Sequence, residues 1–390
     1  MLSISAFSID IILPAFPGLS DGLGVSTKHI QFIIPMYLFA MGLAHPVFGA
    51  LTDRYGRKPC IYLGLCIFLL GSVVCLFSTS LSMLLAGRFL QGFGAATGNV
   101  VCRAMIRDRF SGSELAQNMA IVSMFFAVGP VLAPLVGFVL YSSVGWQGIF
   151  MFLIVFALGL AFATHLQQET LPAEQRRSSG WRNMVADFIY IYQHRQSRYF
   201  VLMGICCTSL IVTFLEHAQV LYAQLGTGSG RFAVLFALSS AGIIAGQIIN
   251  HRLIRRFGAI GAARFATVVV ALTSLLIMLA VLSNTLTDRL MTILMLAFHT
   301  SFLIIFSNVI SLTLDPHRER AGAAAAAFGF AGYMTGSVIA ALVTVVADEK
   351  LSRWSVCFFL ITVVIAVAAW RWRSPVSENC LLYTSPSPRD

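Results

Sequence analysis

The sequence predicts an all-α polytopic membrane protein of about twelve spans, and three observations predict it. The composition is too apolar for a water-facing surface. Of 390 residues, 58% are hydrophobic and 11% charged, and the mean hydropathy is +0.83; a soluble domain carries roughly 25% charged residues. The apolar residues fall in runs of the roughly 20 residues that a bilayer requires. The lysines and arginines gather in alternate connections between those runs, a pattern of membrane topology rather than of a polyanion-binding face. The net charge of +10 therefore does not point to nucleic acid.

Six runs lie near 1–19, 29–51, 59–79, 82–105, 116–140 and 146–166. A polar stretch over 167–198 follows, and six more runs lie near 199–223, 232–250, 263–283, 290–314, 322–346 and 354–372. The expected organisation is a six-helix half over 1–166, a linker over 167–198, a second six-helix half over 199–373 and a tail over 374–390. With the N-terminus placed in the cytoplasm, twenty of the 26 basic residues fall on the cytoplasmic side and five on the other, with Arg88 inside a span. That bias puts both termini and the linker in the cytoplasm. Within the linker, Trp181–Tyr192 reads as an interfacial amphipathic helix.

The first span holds Asp10 at its middle, in Ser8-Ile9-Asp10-Ile11-Ile12-Leu13-Pro14-Ala15-Phe16-Pro17. An ionised carboxylate there costs about 3 kcal/mol or more. Two readings are open: a carboxyl that takes up a proton from one side and releases it to the other, or a structural hydrogen bond to a neighbouring helix. Between the second and third spans runs Gly49-Ala50-Leu51-Thr52-Asp53-Arg54-Tyr55-Gly56-Arg57-Lys58. Glycine permits a tight turn, and Asp53, acidic in a basic loop, is expected to pair with an arginine. The fourth span carries Arg88-Phe89-Leu90-Gln91-Gly92-Phe93-Gly94-Ala95. Arg88 either snorkels to the outer interface or faces the protein interior.

The fifth span reads Gly129-Pro130-Val131-Leu132-Ala133-Pro134-Leu135-Val136-Gly137. Its prolines kink the helix and free backbone carbonyls, and its small residues let a neighbour approach. The seventh span, first of the second half, carries Glu216 and His217. Each half thus offers one carboxylate at a related place, which argues for a shared central cavity. His217 either tunes Glu216 or faces the outer side. Asn250–Gly258 is a degenerate echo of the Gly49 loop. Gln91, Asn99 and Asn308 are candidate cavity hydrogen-bonders, with interhelical ties as the alternative. Phe126, Phe236 and Tyr333 are candidates to line an apolar pocket, although most of the 31 phenylalanines must pack or face lipid.

No phosphate-cradling G-x-x-x-x-G-K-[ST] is present and none of the three lysines follows a glycine. There is no H-E-x-x-H, and none of the eight cysteines forms a C-x-x-C. No enzyme activity, cofactor or metal is expected, which leaves an ion gradient as the driver. Protons are favoured over sodium, because the buried carboxylates are sparse and are expected beside cationic or imidazole groups.

These motifs together resemble the major facilitator superfamily, and within it the Bcr/CflA-type drug:proton antiporters. The resemblance covers about residues 5–372. It rests on Ser8–Pro17, the Gly49–Pro59 loop, R-x-x-Q-G-x-G-A at Arg88, G-P-x-L-A-P-x-x-G at Gly129, and Arg320-Ala321-Gly322 with the small-residue span that follows. Phe138 departs from the antiporter motif, where a second glycine is usual. The resemblance implies a monomeric exporter of varied, moderately apolar drugs in exchange for protons across a bacterial inner membrane. It casts Asp10 as coupling or substrate-sensing carboxylate; Glu216, read from its place in the other half, is expected to be its partner in proton coupling. Arg88 becomes the electrostatic counterpart of Asp10. Gly49, Asp53, Arg54, Gly56 and Arg57 form the gating loop, and Gly129, Pro130, Pro134 and Gly137 the antiporter motif. The alternatives are export of an endogenous metabolite on the same fold and a non-transporting membrane sensor. A segment is expected to be missing ahead of Met1, and Cys380–Asp390 is expected not to be native.

Overall fold

The computed structural model describes residues 2–110, 112–176 and 181–372, and these are helical nearly throughout. The predicted tail lies outside the described residues. The first span is α1 (Leu2–Asp10), a 3-10 turn over Leu13–Ala15, and α2 (Phe16–Leu23). The helix breaks after Asp10 because Pro14 has no N–H for the Asp10 carbonyl and its ring crowds that oxygen. After the short α3 (Thr27–Gln31) come α4 (Ile33–Tyr55), α5 (Arg57–Leu76), α6 (Leu81–Arg109), α7 (Gly112–Val144) and α8 (Trp146–His165). The linker contributes α9 (Trp181–Gln193). The remaining helices are α10 (Arg195–Gln224), α11 (Ser229–Leu282), α12 (Asp288–Leu314), α13 (Ala321–Ala347) and α14 (Leu351–Arg371).

Among the described residues nine helices are long and apolar enough to cross a membrane. One of them, α11, has 54 residues and a non-helical joint at Gly258 (φ 69°, ψ 174°), so it holds the eighth and ninth spans. With α6 and α7, the count reaches the expected twelve. Leucine, valine and phenylalanine side chains stand exposed along most of these helices, among them Val155, Phe162, Leu272 and Leu342. Such a surface belongs in hydrocarbon.

The two six-helix sets meet along α4 with α13 and along α7 with α11. Across the first seam the His45 and Tyr333 rings lie 5.5 Å apart. Across the second, the Phe138 ring lies against Gly230. The Leu13–Ala15 turn packs on α7, α10 and α11, so the break after Asp10 sits where the two sets touch. The linker helix α9 lies on α13: Asp187 pairs with Arg320 at 2.9 Å and the Tyr192 hydroxyl donates to the Ala327 carbonyl at 2.8 Å. Val185 and Ile189 remain exposed on its other face, the amphipathic pattern read from the sequence.

Candidate functional site

The loop between the second and third spans divides differently from its sequence reading. Gly49, Asp53 and Arg54 continue helix α4, and the turn is made by Gly56 alone (φ 100°, ψ 171°). Asp53 does pair with an arginine: Arg57 Nη1 lies 2.8 Å from its Oδ1. Arg57 also pairs with Asp108 at the end of α6, 2.8 Å from Nε to Oδ2. Arg54 instead lies over the Tyr55 ring at 5.2 Å. Glu169, just past α8, accepts from the backbone N–H groups of Arg57 and Lys58 at 3.0 Å each and so caps the first turn of α5. It also accepts from the N–H groups of Thr170 and Leu171. One end of the bundle is thereby tied across α4, α5, α6 and the start of the linker.

The opposite end is closed by different groups. Lys28 pairs with Asp348 at 2.5 Å, and its backbone N–H donates to Glu349 Oε1 at 2.9 Å. Among the described residues this is the ion pair that joins the two helix sets. The hydrogen bond and charge of Lys28 hold the Asp348 carboxyl below its ordinary range. Asp348 and Glu349 both adopt left-handed backbone (φ 48° and 59°).

Between these ends lie buried polar groups. Asp10 is 3% exposed, and its Oδ1 has no hydrogen-bond partner. The fifth-span motif forms the wall beside it: a Cβ on Gly129 would stand 2.8 Å from Ala6 Cβ, and one on Gly137 2.0 Å from the Ile11 carbonyl oxygen. The two glycines, two helical turns apart, therefore seat α1 on either side of Asp10. Pro130 and Pro134 lie between them in a helix that remains continuous.

Arg88 is fully buried, so it faces the interior and does not snorkel. It does not pair with Asp10. Nη1 donates to Gln91 Oε1 at 2.9 Å, Nε reaches the Ile33 carbonyl at 3.5 Å, and Nη2 has no partner. The guanidinium lies over the Tyr37 ring, 4.5 Å from its centroid. Gln91 in turn donates to Ser72 Oγ at 2.8 Å, so it serves the arginine and ties α6 to α5. Sequence reasoning missed Tyr37, because a tyrosine in an apolar run carries no signal until its neighbour is known.

In the second helix set Glu216 is 0% exposed, and neither carboxylate oxygen has a hydrogen-bond donor. His217 is also buried, with Nδ1 3.4 Å from Glu216 Oε1 and 3.0 Å from the Thr213 carbonyl. The same carbonyl accepts from Trp354 Nε1 at 3.3 Å. The two carboxylates thus have different neighbours, an imidazole for Glu216 and no cation for Asp10.

The other candidate residues scatter. Asn308 donates to Asn250 Oδ1 at 2.7 Å, an interhelical tie between α12 and α11. Asn99 reaches the Met41 sulfur at 3.6 Å. Phe236 is fully buried against Phe214, Phe232 and His299, and is packing rather than an open wall. Tyr333 sits at the α4–α13 seam. The side chain of Phe126 lies outside the described residues. No group of three or more His, Cys, Asp or Glu with metal-holding geometry occurs among the described residues.

Arginine buried behind the fourth-span motif, glycines seating the first span and an ion-paired turn after the second all occur in one twelve-span fold. The sequence matches the family model described as Major Facilitator Superfamily over residues 1–331. The chain belongs to the Major Facilitator Superfamily. Relatives in this superfamily include the "Uncharacterized MFS-type transporter YdgK" of Bacillus subtilis, 27% identical, with 95% of this chain and 92% of that one covered. The "Bicyclomycin resistance protein homolog" of Haemophilus influenzae is 25% identical, with 93% and 92% covered. "Multidrug resistance protein D" of Escherichia coli is 27% identical over 66% of this chain and 65% of its own. The fold is similar to the crystal structure of a D-xylose-proton symporter, with a TM-score of 0.78, 13% identity and 95% of each chain covered. It is also similar to the human organic anion transporter MFSD10, with a TM-score of 0.69, 18% identity, and 93% of this chain and 96% of that one covered. These two likenesses concern the fold alone.

Proposed function

We propose that the chain is a proton-coupled antiporter that exports varied, moderately apolar drugs across a bacterial cytoplasmic membrane. The observation that carries this reading is the pair of buried carboxylates, Asp10 and Glu216, one in each helix set, neither held by a lysine or arginine. A carboxylate without a fixed cation exchanges a proton at low cost when its surroundings change from dry to wet. The resemblance to relatives named for multidrug and bicyclomycin resistance supports the drug cargo. The arginine bias supports an orientation with both termini and the Gly49–Lys58 turn in the cytoplasm.

In this reading, residues 1–166 and 199–373 form halves that rock about a central cavity, joined by the 167–198 linker. Protonation and drug binding compete, so each biases the equilibrium of the other. The Asp53–Arg57–Asp108 cluster braces the cytoplasmic end, and Lys28 with Asp348 closes the other. Phe126, Tyr333 and Asn99 remain candidates for the cavity wall. A membrane potential and proton gradient supply the drive without a cofactor.

Drug accumulation in pump-deficient bacteria tests the reading. Expression of the chain is expected to lower accumulation of at least one compound in a fluorescent and radiolabelled panel, and a protonophore to restore it. Asp10→Asn is expected to abolish the proton-driven part while membrane insertion is retained. Unchanged accumulation of every compound, with the protein present in the membrane, would favour export of an endogenous metabolite.

A further inference from the structure

Asp10 and Arg88 carry the charges expected to act together, yet no contact joins them. One side chain stands between them. The Tyr37 ring lies under the Arg88 guanidinium at 4.5 Å, a cation–π contact in a dry environment. Its hydroxyl points at α1, where it donates to the Ser5 carbonyl at 3.5 Å, the outer limit of a hydrogen bond. Tyr37 is fully buried, and its hydroxyl is within electrostatic reach of both Arg88 and Asp10 and close to Ser8. Asp10 Oδ1, also buried, has no donor.

We infer that Tyr37 is a positioning residue for Asp10: its ring holds the Arg88 charge and its hydroxyl swings between the Ser5 carbonyl and the Asp10 carboxylate. This rests on the reading of Asp10 as the coupling carboxyl. With Asp10 protonated, the hydroxyl stays on Ser5 and the guanidinium is held by Gln91, Ile33 and the ring. When Asp10 gives up its proton, the hydroxyl turns to donate to the new carboxylate, and the positive charge behind the ring favours that turn. No bond other than hydrogen bonds is made or broken.

The ionisable groups around Asp10 are few. Tyr37 reaches it from α4, with Arg88 of α6 and Tyr333 of α13 beyond Tyr37. From α7, Tyr141 lies against Gly18, past the break. On α8 the residues from Trp146 to Thr164 include no ionisable side chain. Across the seam α10 brings Glu216, His217 and Tyr222, and α11 brings Arg231 near its start.

The test uses the full chain in detergent and needs no drug. A hydrophobic carbodiimide labels protonated buried carboxyls, and mass spectrometry of the Asp10 peptide separates that label from the one on Glu216. The pH midpoint of Asp10 labelling is the readout. Tyr37→Phe keeps the ring and the packing and removes the donor, so the midpoint is expected to rise by about one pH unit. Tyr37→Leu also removes the cation–π contact and is expected to shift it further. A Tyr37→Phe midpoint superimposed on the wild type overturns the inference, since a merely structural tyrosine would not move it. The pH profile of protonophore-sensitive efflux is expected to move in the same direction. If Asp10→Asn retains proton-driven efflux, the reading of Asp10 falls and this inference with it. If Asp10→Asn abolishes coupling while Tyr37→Phe changes neither profile, this inference alone falls.

Discussion

Gly137 stands so close to Ile11 that a single added methyl group would lie 2.0 Å from the Ile11 carbonyl oxygen. The contact is backbone to backbone, so no rotamer change relieves it. It makes the end of the fifth-span motif a mould for the break in the first span, and four different experiments follow from this and related features.

Gly137→Ala is expected to push α1 and α7 apart, with an overpacking cost of about 1–3 kcal/mol and loss of transport. Gly129→Ala meets only the Ala6 methyl, at 2.8 Å, and is expected to cost less. Melting temperature in detergent and efflux rate check the order, and a milder effect for Gly137→Ala would contradict it.

Glu169 gives a pH signature outside the membrane. Burial raises its carboxyl, but the N–H groups of Leu171, Arg57, Lys58 and Thr170 outweigh that and hold it below the ordinary value of 4.5. A carboxyl depressed on folding adds stability that is present above its unfolded value and is lost as pH falls through the folded one. Glu169→Gln is expected to lower the melting temperature by roughly 2 °C near pH 7. The gap should close as the pH falls below the ordinary carboxylate range. A gap independent of pH would remove the carboxylate from the cap.

Lys28 and Asp348 are partly exposed, at 27% and 52%, so the pair adds little to stability. Its effect is expected on the equilibrium between open and closed ends. In a background without the native cysteines, Lys28→Cys with Asp348→Cys joined through two mixed disulfides by a bis-methanethiosulfonate linker is expected to arrest transport, and reductant, which cleaves those disulfides, to restore it. Transport that continues through the link would mean this end need not open.

Gly56 and Gly258 share a backbone conformation that side chains rarely adopt. A Cβ on Gly56 would also meet Glu169 Oε2 at 2.9 Å, whereas none lies near Gly258. Gly56→Ala is therefore expected to lower thermal stability more than Gly258→Ala, which carries only the backbone cost of about 1–3 kcal/mol. Equal effects would assign no weight to the Glu169 contact.

Twelve spans and the polar groups within them were legible because hydrocarbon imposes a severe rule: apolar runs must be long, and anything polar inside them stands out. Asp10, Arg88 and Glu216 were found that way, and all are buried. Their partners were not legible. The family resemblance cast Arg88 as the counterpart of Asp10, but Gln91, one helical turn further along α6, and Tyr37 from α4 reach it first. Phe236 could not be told from the other phenylalanines, because burial in packing and burial at a pocket wall leave the same letter. Glu169 was not singled out in the sequence, because its role depends on where the start of α5 lies in space.

Gly56 and Gly258 are 202 positions apart, the difference of their residue numbers. With the two joints superimposed, Asp53 falls on Arg255 and Arg57 on Ala259. The second copy keeps the swivel and lacks both members of the lock. Past the Gly258 joint the start of the ninth span is held instead by Arg264, which donates to the Ala369 and Trp372 carbonyls, whereas α4 is held to α5 and α6 by carboxylates and a guanidinium. The two turns are therefore fastened unequally: one is latched by opposite charges, the other by an arginine on carbonyl oxygens.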